Sequence, residues 1–240
     1  MKISVIVPLA PGDESWRVLV QDLALLDDQG ALTGFEVLLV SADSQMPEAL
    51  TTSMQHHPPE FAERVSLVAG GESRASSMNK GAGVAQGDYL WFVHADSRLE
   101  VQHIRALTDA IASAAGSLYY FDLKFYGHPL MWVNEGGVWI RSHLLMTPFG
   151  DQALCIAREQ FVALGGYPED VVYGEDHLLV WYAMQHGIKL HCTGEALLTS
   201  ARKYEDNGWL NTTGLHLWLW AKQAWPEFMV LMKKRWLKAG

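Results

Sequence analysis

Cysteine is nearly absent: only Cys155 and Cys192 occur in 240 residues, with no paired spacing. That excludes a disulfide framework and a local zinc motif, and makes buried thiols in a reducing cytoplasm the expectation. Basic charge is also in short supply. With 18 Lys and Arg against 27 Asp and Glu, the net charge is −9, so nucleic acid is not an expected partner. Long apolar runs are missing too. The longest uncharged stretch, Asn207 to Ala221, has 15 residues and includes Asn, Thr and His, too short and too polar to span a bilayer. Met1-Lys2 leads straight into a strand pattern, so no secretory leader is expected. No repeat, linker or low-complexity tract interrupts the chain, and a single domain over residues 1–240 is the simplest organisation.

What is present is the composition of an ordinary globular protein, 49% hydrophobic and 19% charged. The charge is unevenly spread. From Arg202 onward seven basic residues face three acidic ones, giving +4, while the first 201 residues carry −13. Half of the ten Trp lie in that same tail, at 209, 218, 220, 225 and 236. A basic, Trp-rich end suits peripheral contact with an anionic membrane face, and equally a helix packed on the domain with its basic side outward.

The first hundred residues alternate short apolar runs with helical patterns. Ile3 to Val7 reads as a strand stopped by Pro8, followed by a helix with Trp16, Leu19, Val20, Leu23 and Leu26 on one face. Phe35 to Val40 is a second strand, ending in the polar edge Ser41-Ala42-Asp43-Ser44. A loop through His56, His57, Pro58 and Pro59 leads to a third strand at Val65 to Val68. Gly70-Gly71 opens a small-residue helix over Glu72 to Ala85. Its glycines come too late for a dinucleotide fingerprint and suggest close helix-to-sheet packing instead. Arg74, at that helix's amino end, can reach a base or pyrophosphate, or form a surface ion pair. Such alternation predicts an α/β fold with a mostly parallel central sheet, helices on both faces and further helices at the C-terminus.

The fourth strand, Tyr89 to Val93, releases His94, Ala95 and Asp96 at its carboxyl end, where open α/β sheets bind ligands. If the chain stays extended, His94 and Asp96 project to one side about 7 Å apart and can hold a divalent cation. Asp96 can alternatively cap a helix beginning near Arg98. Further on, a helix over Glu100 to Ala114 precedes a strand at Leu118 to Phe125. A helix over Met131 to Leu145 should be broken at Gly136-Gly137, and a strand at Ala153 to Ala157 leads to a short helix at Glu159 to Leu164. Gly165 to Pro168 is a turn. Glu175 and Asp176 then open a helix reaching about His186, where the helix dipole alone favours carboxylates and a general base is the functional alternative. Leu190 and Leu197 to Thr199 are separate short strand candidates.

Several of these stretches together resemble the family 2 glycosyltransferases of the GT-A fold. They are Ser4-Val5-Ile6-Val7-Pro8, Ser73-Arg74 with Asn79-Lys80-Gly81, Gly87-Asp88-Tyr89 through His94-Ala95-Asp96, and Gly165-Gly166-Tyr167-Pro168-Glu169 followed by Glu175-Asp176. The His-Ala-Asp version, with Gly150-Asp151-Gln152 and Thr199-Ser200-Ala201-Arg202, is similar to a bacterial subgroup of short "transferase 2" proteins associated with radical-SAM and selenodomain neighbours. The resemblance implies a metal-dependent, inverting, hexosyltransferase-type enzyme that moves a sugar from a nucleoside-diphosphate sugar to a hydroxyl acceptor. The Trp and Tyr residues would suit sugar stacking or a lipid-linked acceptor. Residues 1–100 would form the nucleotide half, 101–200 the acceptor half and 201–240 a helical tail. Pro8, Leu9, Ala10, Asp43, Arg74, Asn79 and Ala95 would lie against the nucleotide. Asp96 with His94 would hold Mn²⁺ or Mg²⁺, and Asp176 would be the base with Glu175 beside it. Two positions depart from the family: His94 stands where many relatives have an Asp, and Ser41 where they place an Asp that reads the base, for which Asp43 can substitute. These departures keep open a nucleotide-sugar-binding protein without turnover. A sugar nucleotidyltransferase is the weaker alternative, since Leu9 to Asp13 lacks the glycine-rich, basic loop such enzymes carry.

Overall fold

The computed structural model describes residues 1–43, 46–126, 131–200 and 209–239. Among the described residues, seven strands form one sheet in the order β3-β2-β1-β4-β6-β5-β7. They are β1 (Ile3–Leu9), β2 (Phe35–Ser41), β3 (Val65–Ala69), β4 (Tyr89–Phe92), β5 (Leu118–Tyr126), β6 (Cys155–Ala157) and β7 (Leu190–Ser200). Only β6 runs against its neighbours, pairing antiparallel with β4 and β5; the other pairs are parallel.

The helices are α1 (Trp16–Asp28), α2 (Met46–Met54), α3 (Pro59–Ala62), α4 (Arg74–Val84), α5 (Val101–Ser113), α6 (Met131–Trp139), α7 (Arg158–Leu164), α8 (Glu175–Gln185) and α9 (Trp209–Ala239). Strand alternation sorts the core into two layers. Ile3, Val5 and Val7 join Trp16, Leu19, Leu23, Ile104 and Leu107 from α1 and α5. Ile6, Val40 and Phe92 join Ala75, Met78 and Leu179 from α4 and α8 on the other face. At the centre of the first layer, Trp91 stacks on Phe121 at 5.8 Å and donates its indole N–H to Ala153 O at 3.1 Å.

The expected close approach of α4 to the sheet is present at Gly81. A Cβ there would lie 2.7 Å from Ile6 Cγ2 and 2.9 Å from Val40 Cγ2.

Several element boundaries differ from the sequence expectation. Pro8 does not stop β1, which pairs with β2 through Leu9. Ile6 faces β4, accepting from Val93 N at 3.0 Å, so Pro8 faces that side as well. There β4 has already ended at Phe92, and no ladder bond is lost by a residue without an N–H. α6 passes through Gly136-Gly137 unbroken and continues as a π-turn over Ile140–Leu144. α2 fills a stretch before the His56 to Pro59 loop that has no element in the sequence reading. The two C-terminal strand candidates are one strand, β7, with an irregularity where Tyr120–Asp122 of β5 faces Cys192–Ala196 of β7. Ser44 and Ala201 to Tyr204 lie outside the described residues. Among the described residues, no helix is both long and apolar enough to cross a membrane.

α9 docks on α8. Gln185 Nε2 donates to Glu227 Oε2 at 2.7 Å, and Gln223 Nε2 donates to Tyr173 O at 2.7 Å. Trp181, Ala224 and Leu231 form a small apolar contact between the two helices.

Candidate active site

The carboxyl ends of β1, β2 and β4 open onto the amino ends of α4 and α8. At α4, Ser73 is the N-cap, accepting from Ser76 N at 3.1 Å while Ser73 N donates to Ser76 Oγ at 3.0 Å. This reciprocal cap sets Arg74 as the first helical residue.

After β4 the chain turns instead of staying extended: Ser97 N donates to His94 O at 3.1 Å. The extended spacing expected for His94 and Asp96 is therefore replaced by a turn. Asp96 does not cap a helix either, because α5 starts at Val101 with Glu100 as its N-cap. The turn is pinned by Arg98, whose Nε and Nη2 meet the two oxygens of Asp22 at 2.7 and 2.9 Å. Ala95 is buried in the first core layer, which leaves its backbone as the part that can face a ligand. Asp96 is half-buried.

At α8, Gly174 takes φ 81°, and a Cβ there would lie 2.4 Å from Gln223 Oε1. Glu175 and Asp176 follow, both buried. Asp176 Oδ2 accepts from Gly150 N at 2.7 Å, and its Oδ1 accepts from His177 N at 2.8 Å. Arg74 reaches across: its Nε is 2.5 Å from Glu175 Oε1 and its Nη2 is 3.5 Å from Asp176 Oδ2. His94 Nε2 lies 3.4 Å from Arg74 Nη1.

Burial acts to raise the Asp176 pKa, but Arg74, His177 and the two backbone N–H groups overcome it and hold the carboxyl below its ordinary value. Arg74 is affected in the opposite sense. Burial opposes its charge, and Asp176 and Glu175 more than restore it, raising its pKa. Beside them Tyr167 is buried with its hydroxyl unpartnered, and burial raises its pKa well above the usual phenol range.

The structure thus gathers Arg74, His94, Glu175 and Asp176 around Gly150. Other residues singled out in the sequence lie elsewhere. Asn79 Nδ2 donates to Tyr167 O at 2.9 Å and to Glu169 Oε1 at 2.7 Å, and its Oδ1 accepts from Tyr167 N at 2.9 Å, so its amide ties down the turn before α8. Asp43 sits at the end of β2, accepting from Gly12 N at 3.2 Å, while its own N–H donates to Ser41 Oγ at 3.1 Å. Pro8, Leu9 and Ala10 form the end of β1 beside it, going from half-buried through buried to exposed.

Two contributors have no sequence reading of their own, His177 and Gln223, and Gly150 has one only as part of the subgroup resemblance. The ring of buried His177 stacks on Phe149 at 5.4 Å, and its Nε2 is 2.9 Å from Gln223 Oε1. The Gly150-Asp151-Gln152 segment stood out in the sequence, but its contact with Asp176 spans 26 positions and left no local signal.

No protein-family model matches the sequence, and no curated protein does. Solved structures do match. S. aureus TarS 1-349 superposes with a TM-score of 0.63 at 16% identity, over 83% of this chain and 60% of that one. TarS 1-349 in complex with UDP-GlcNAc gives 0.62 at 17%, over 83% and 58%. Its complex with UDP gives 0.63 at 16%, over 84% and 61%. The chain spans about 60% of the length of these neighbours. The likeness is one of fold, and the fold is the GT-A-like architecture with a mostly parallel sheet.

Proposed function

We propose that this chain is a glycosyltransferase of the hexosyltransferase type. It takes a sugar from a nucleoside-diphosphate sugar and passes it to a hydroxyl acceptor with inversion at the anomeric carbon. The observation that carries the proposal is the buried Glu175–Asp176 pair facing Arg74 across the carboxyl ends of β1, β2 and β4. The structural neighbour TarS, solved with UDP-GlcNAc and with UDP, supports the choice of donor class. The family 2 assignment and the radical-SAM-associated subgroup are parts of this proposal that rest on sequence resemblance.

The donor nucleotide lies in the half formed by residues 1–100, against Pro8 to Ala10, Asp43 and Ala95. Arg74 takes a diphosphate oxygen there. A diphosphate competes with Glu175 and Asp176 for the guanidinium. As Arg74 moves to it, Asp176 loses the neighbour that most strongly depresses its pKa and becomes a stronger base. The N–H groups of Gly150 and His177 keep the carboxylate aimed while it takes the acceptor proton. Glu175 stays as the counter-charge. Asn79 acts at a distance, by fixing the turn that delivers α8.

A divalent cation, Mn²⁺ or Mg²⁺, fits this site only together with substrate. Asp96 offers one half-buried carboxylate, and His94, the second donor, faces the Arg74 guanidinium at 3.4 Å, so the diphosphate would complete the ligand set. When bound, the ion would neutralise charge building on the departing diphosphate.

The acceptor is proposed to be lipid-linked and the protein cytoplasmic and peripheral to the inner membrane face. Two features support this. A groove of about 940 Å³ runs between α8, α9 and residues 144–146, and Leu144, Trp181, Trp225, Phe228, Lys234 and Arg235 are among the residues that line it. Trp218, Trp225 and Trp236 are exposed on α9.

One observation favours a second reading, a nucleotide-sugar-binding protein without turnover: Arg74 neutralises both candidate bases, and the His-Ala-Asp turn offers a single carboxylate. Calorimetric titration with UDP-, GDP- and TDP-sugars in Mn²⁺, on wild type and Asp96→Ala, separates the two. The transferase requires metal-dependent binding of one nucleotide sugar with slow release of free sugar, both lost in Asp96→Ala. Binding without release supports the second reading, and no binding under any condition overturns both.

A further inference from the structure

The geometry points to a second metal site: Asp122, His143 and Cys192 form a centre for a soft divalent cation of the Zn²⁺ class, independent of the sugar-transfer site. One ligand atom from each of these residues lies within 4.8 Å of the other two. Asp122 Oδ1 is already 2.7 Å from His143 Nε2. In a tetrahedral zinc centre with bonds of about 2.0–2.3 Å, donor atoms sit roughly 3.5 Å apart, so closure needs movements of about 1 Å. All three residues are half-buried, which leaves an entry path and keeps the ligands ordered.

The three donors come from three segments, and two of the segments are irregular where they supply a donor. His143 lies in the π-turn at Ile140–Leu144, a geometry that is rare in helices and concentrated at functional sites. Its ring is held by Trp139, stacked at 4.9 Å with an interplanar angle of 23°. Cys192 lies where β7 slips against β5, with four steps on β7 opposite two on β5 and Gly194 at φ 84° inside the slip. That slip ends at Asp122. Regular strands and a regular helix would not leave this register, and the irregularities meet at the three donors.

The donor set selects the ion. A thiolate, an imidazole and a carboxylate suit Zn²⁺ or Co²⁺, whereas a thiolate is a poor ligand for the harder Mg²⁺ and Mn²⁺. Three protein ligands leave one position for water. Bound there, the ion would tie the π-turn to the sheet edge. The next residue back, Ser142, donates its hydroxyl to Gln152 Oε1 at 2.9 Å, and Phe149 N donates to the same oxygen at 3.1 Å. Phe149 in turn stacks on His177 beside Asp176. The centre is therefore linked, through Ser142, Gln152 and Phe149, to the loop that supports the candidate base.

The test uses the full chain stripped with a chelator. Calorimetry with Zn²⁺ should give one equivalent bound, with affinity at least tenfold weaker in His143→Ala and in Asp122→Asn. Co²⁺ should give a sulfur-to-cobalt charge-transfer band that Cys192→Ser abolishes and Asp96→Ala leaves intact. A wild-type measurement guards against misfolded variants: Zn²⁺ should slow alkylation of Cys192 at least tenfold. The only other thiol, Cys155, is fully buried, so labelling reports on Cys192. No stoichiometric Zn²⁺ binding, alkylation unaffected by Zn²⁺, or a cobalt band surviving Cys192→Ser would each overturn the inference.

Discussion

Arg74 and Glu175, 101 positions apart in the chain, meet at 2.5 Å between Nε and Oε1 and so join the first residue of α4 to the first residue of α8. Two helix amino ends, each favouring negative charge, face one another here. A single guanidinium reconciles them with two buried carboxylates.

Removing that guanidinium leaves both carboxylates buried without their main counter-charge. Breaking a fully buried pair costs about 3–5 kcal/mol, but the Arg74 side chain is 38% exposed, so Arg74→Ala is expected to destabilise by about 1–3 kcal/mol. Urea denaturation checks the stability. Donor titration of the same variant should show weakened nucleotide binding, because the diphosphate loses its cationic partner. Arg74→Lys, which keeps the charge but lacks the fork, should recover part of the stability and less of the binding.

Acid should reveal the same cluster. The Asp176 pKa is lowered in the folded protein from an ordinary 3.8, so the unfolded chain binds the proton more readily. The stabilisation from this group is complete above 3.8 and is lost as pH falls through the lower folded value. Thermal melts from neutral pH downward should show that decline in wild type, and Asp176→Asn should flatten it. An Asn variant with an unchanged acid limb would remove Asp176 as its source.

Gly150 separates site geometry from global stability. A Cβ there would lie 2.8 Å from Asp176 Oδ2 and 3.2 Å from His94 Nε2. Gly150→Ala is therefore expected to push the carboxylate off the Gly150 N–H. Sugar release should fall at least tenfold, consistent with about 1.4 kcal/mol of lost transition-state stabilisation, while donor affinity changes little. A variant with wild-type turnover would argue that Asp176 is not the base.

The packing of α4 gives a control far from the chemistry. Gly81→Ala would place a methyl 2.7 Å from Ile6 Cγ2 and 2.9 Å from Val40 Cγ2, both in strands that cannot retreat. An overpacking cost of about 1–3 kcal/mol is expected, read as a lower urea midpoint with an unchanged slope.

The reason for Gly81 was legible in the sequence, as were the alternation of strands and helices and the acidic start of α8. These are local patterns, and local physics sets them. What stayed hidden depends on partners distant in sequence. Pro8 looks like a strand terminator until the end of β4 beside it is known. Gly136-Gly137 looks like a break, yet α6 runs through it and packs along β5. The Gly150 N–H on Asp176 and the His177–Gln223 contact join elements 26 and 46 positions apart, and nothing in either stretch announces the other. The turn at His94 to Ser97 is hidden from the sequence for a related reason: Arg98 closes it from outside, by gripping Asp22 on α1.

The exposed face of α9 yields the last expectation. Trp225 and Trp236 are 65% and 77% exposed, and Lys233, Lys234 and Arg235 lie between them in sequence. Indole rings favour the headgroup level of a bilayer, and each basic residue near an anionic surface adds about 1 kcal/mol of attraction. Co-sedimentation with vesicles rich in anionic phospholipid should therefore exceed that with neutral vesicles and fall as salt rises. Trp225→Ser with Trp236→Ser should cut binding at least tenfold through lost apolar contact, with the salt dependence of the remainder unchanged. Replacing Lys233, Lys234 and Arg235 by Gln should instead remove the preference for anionic lipid. If wild type binds neither vesicle, this face of α9 has another use, and the case for a lipid-linked acceptor rests on the groove alone.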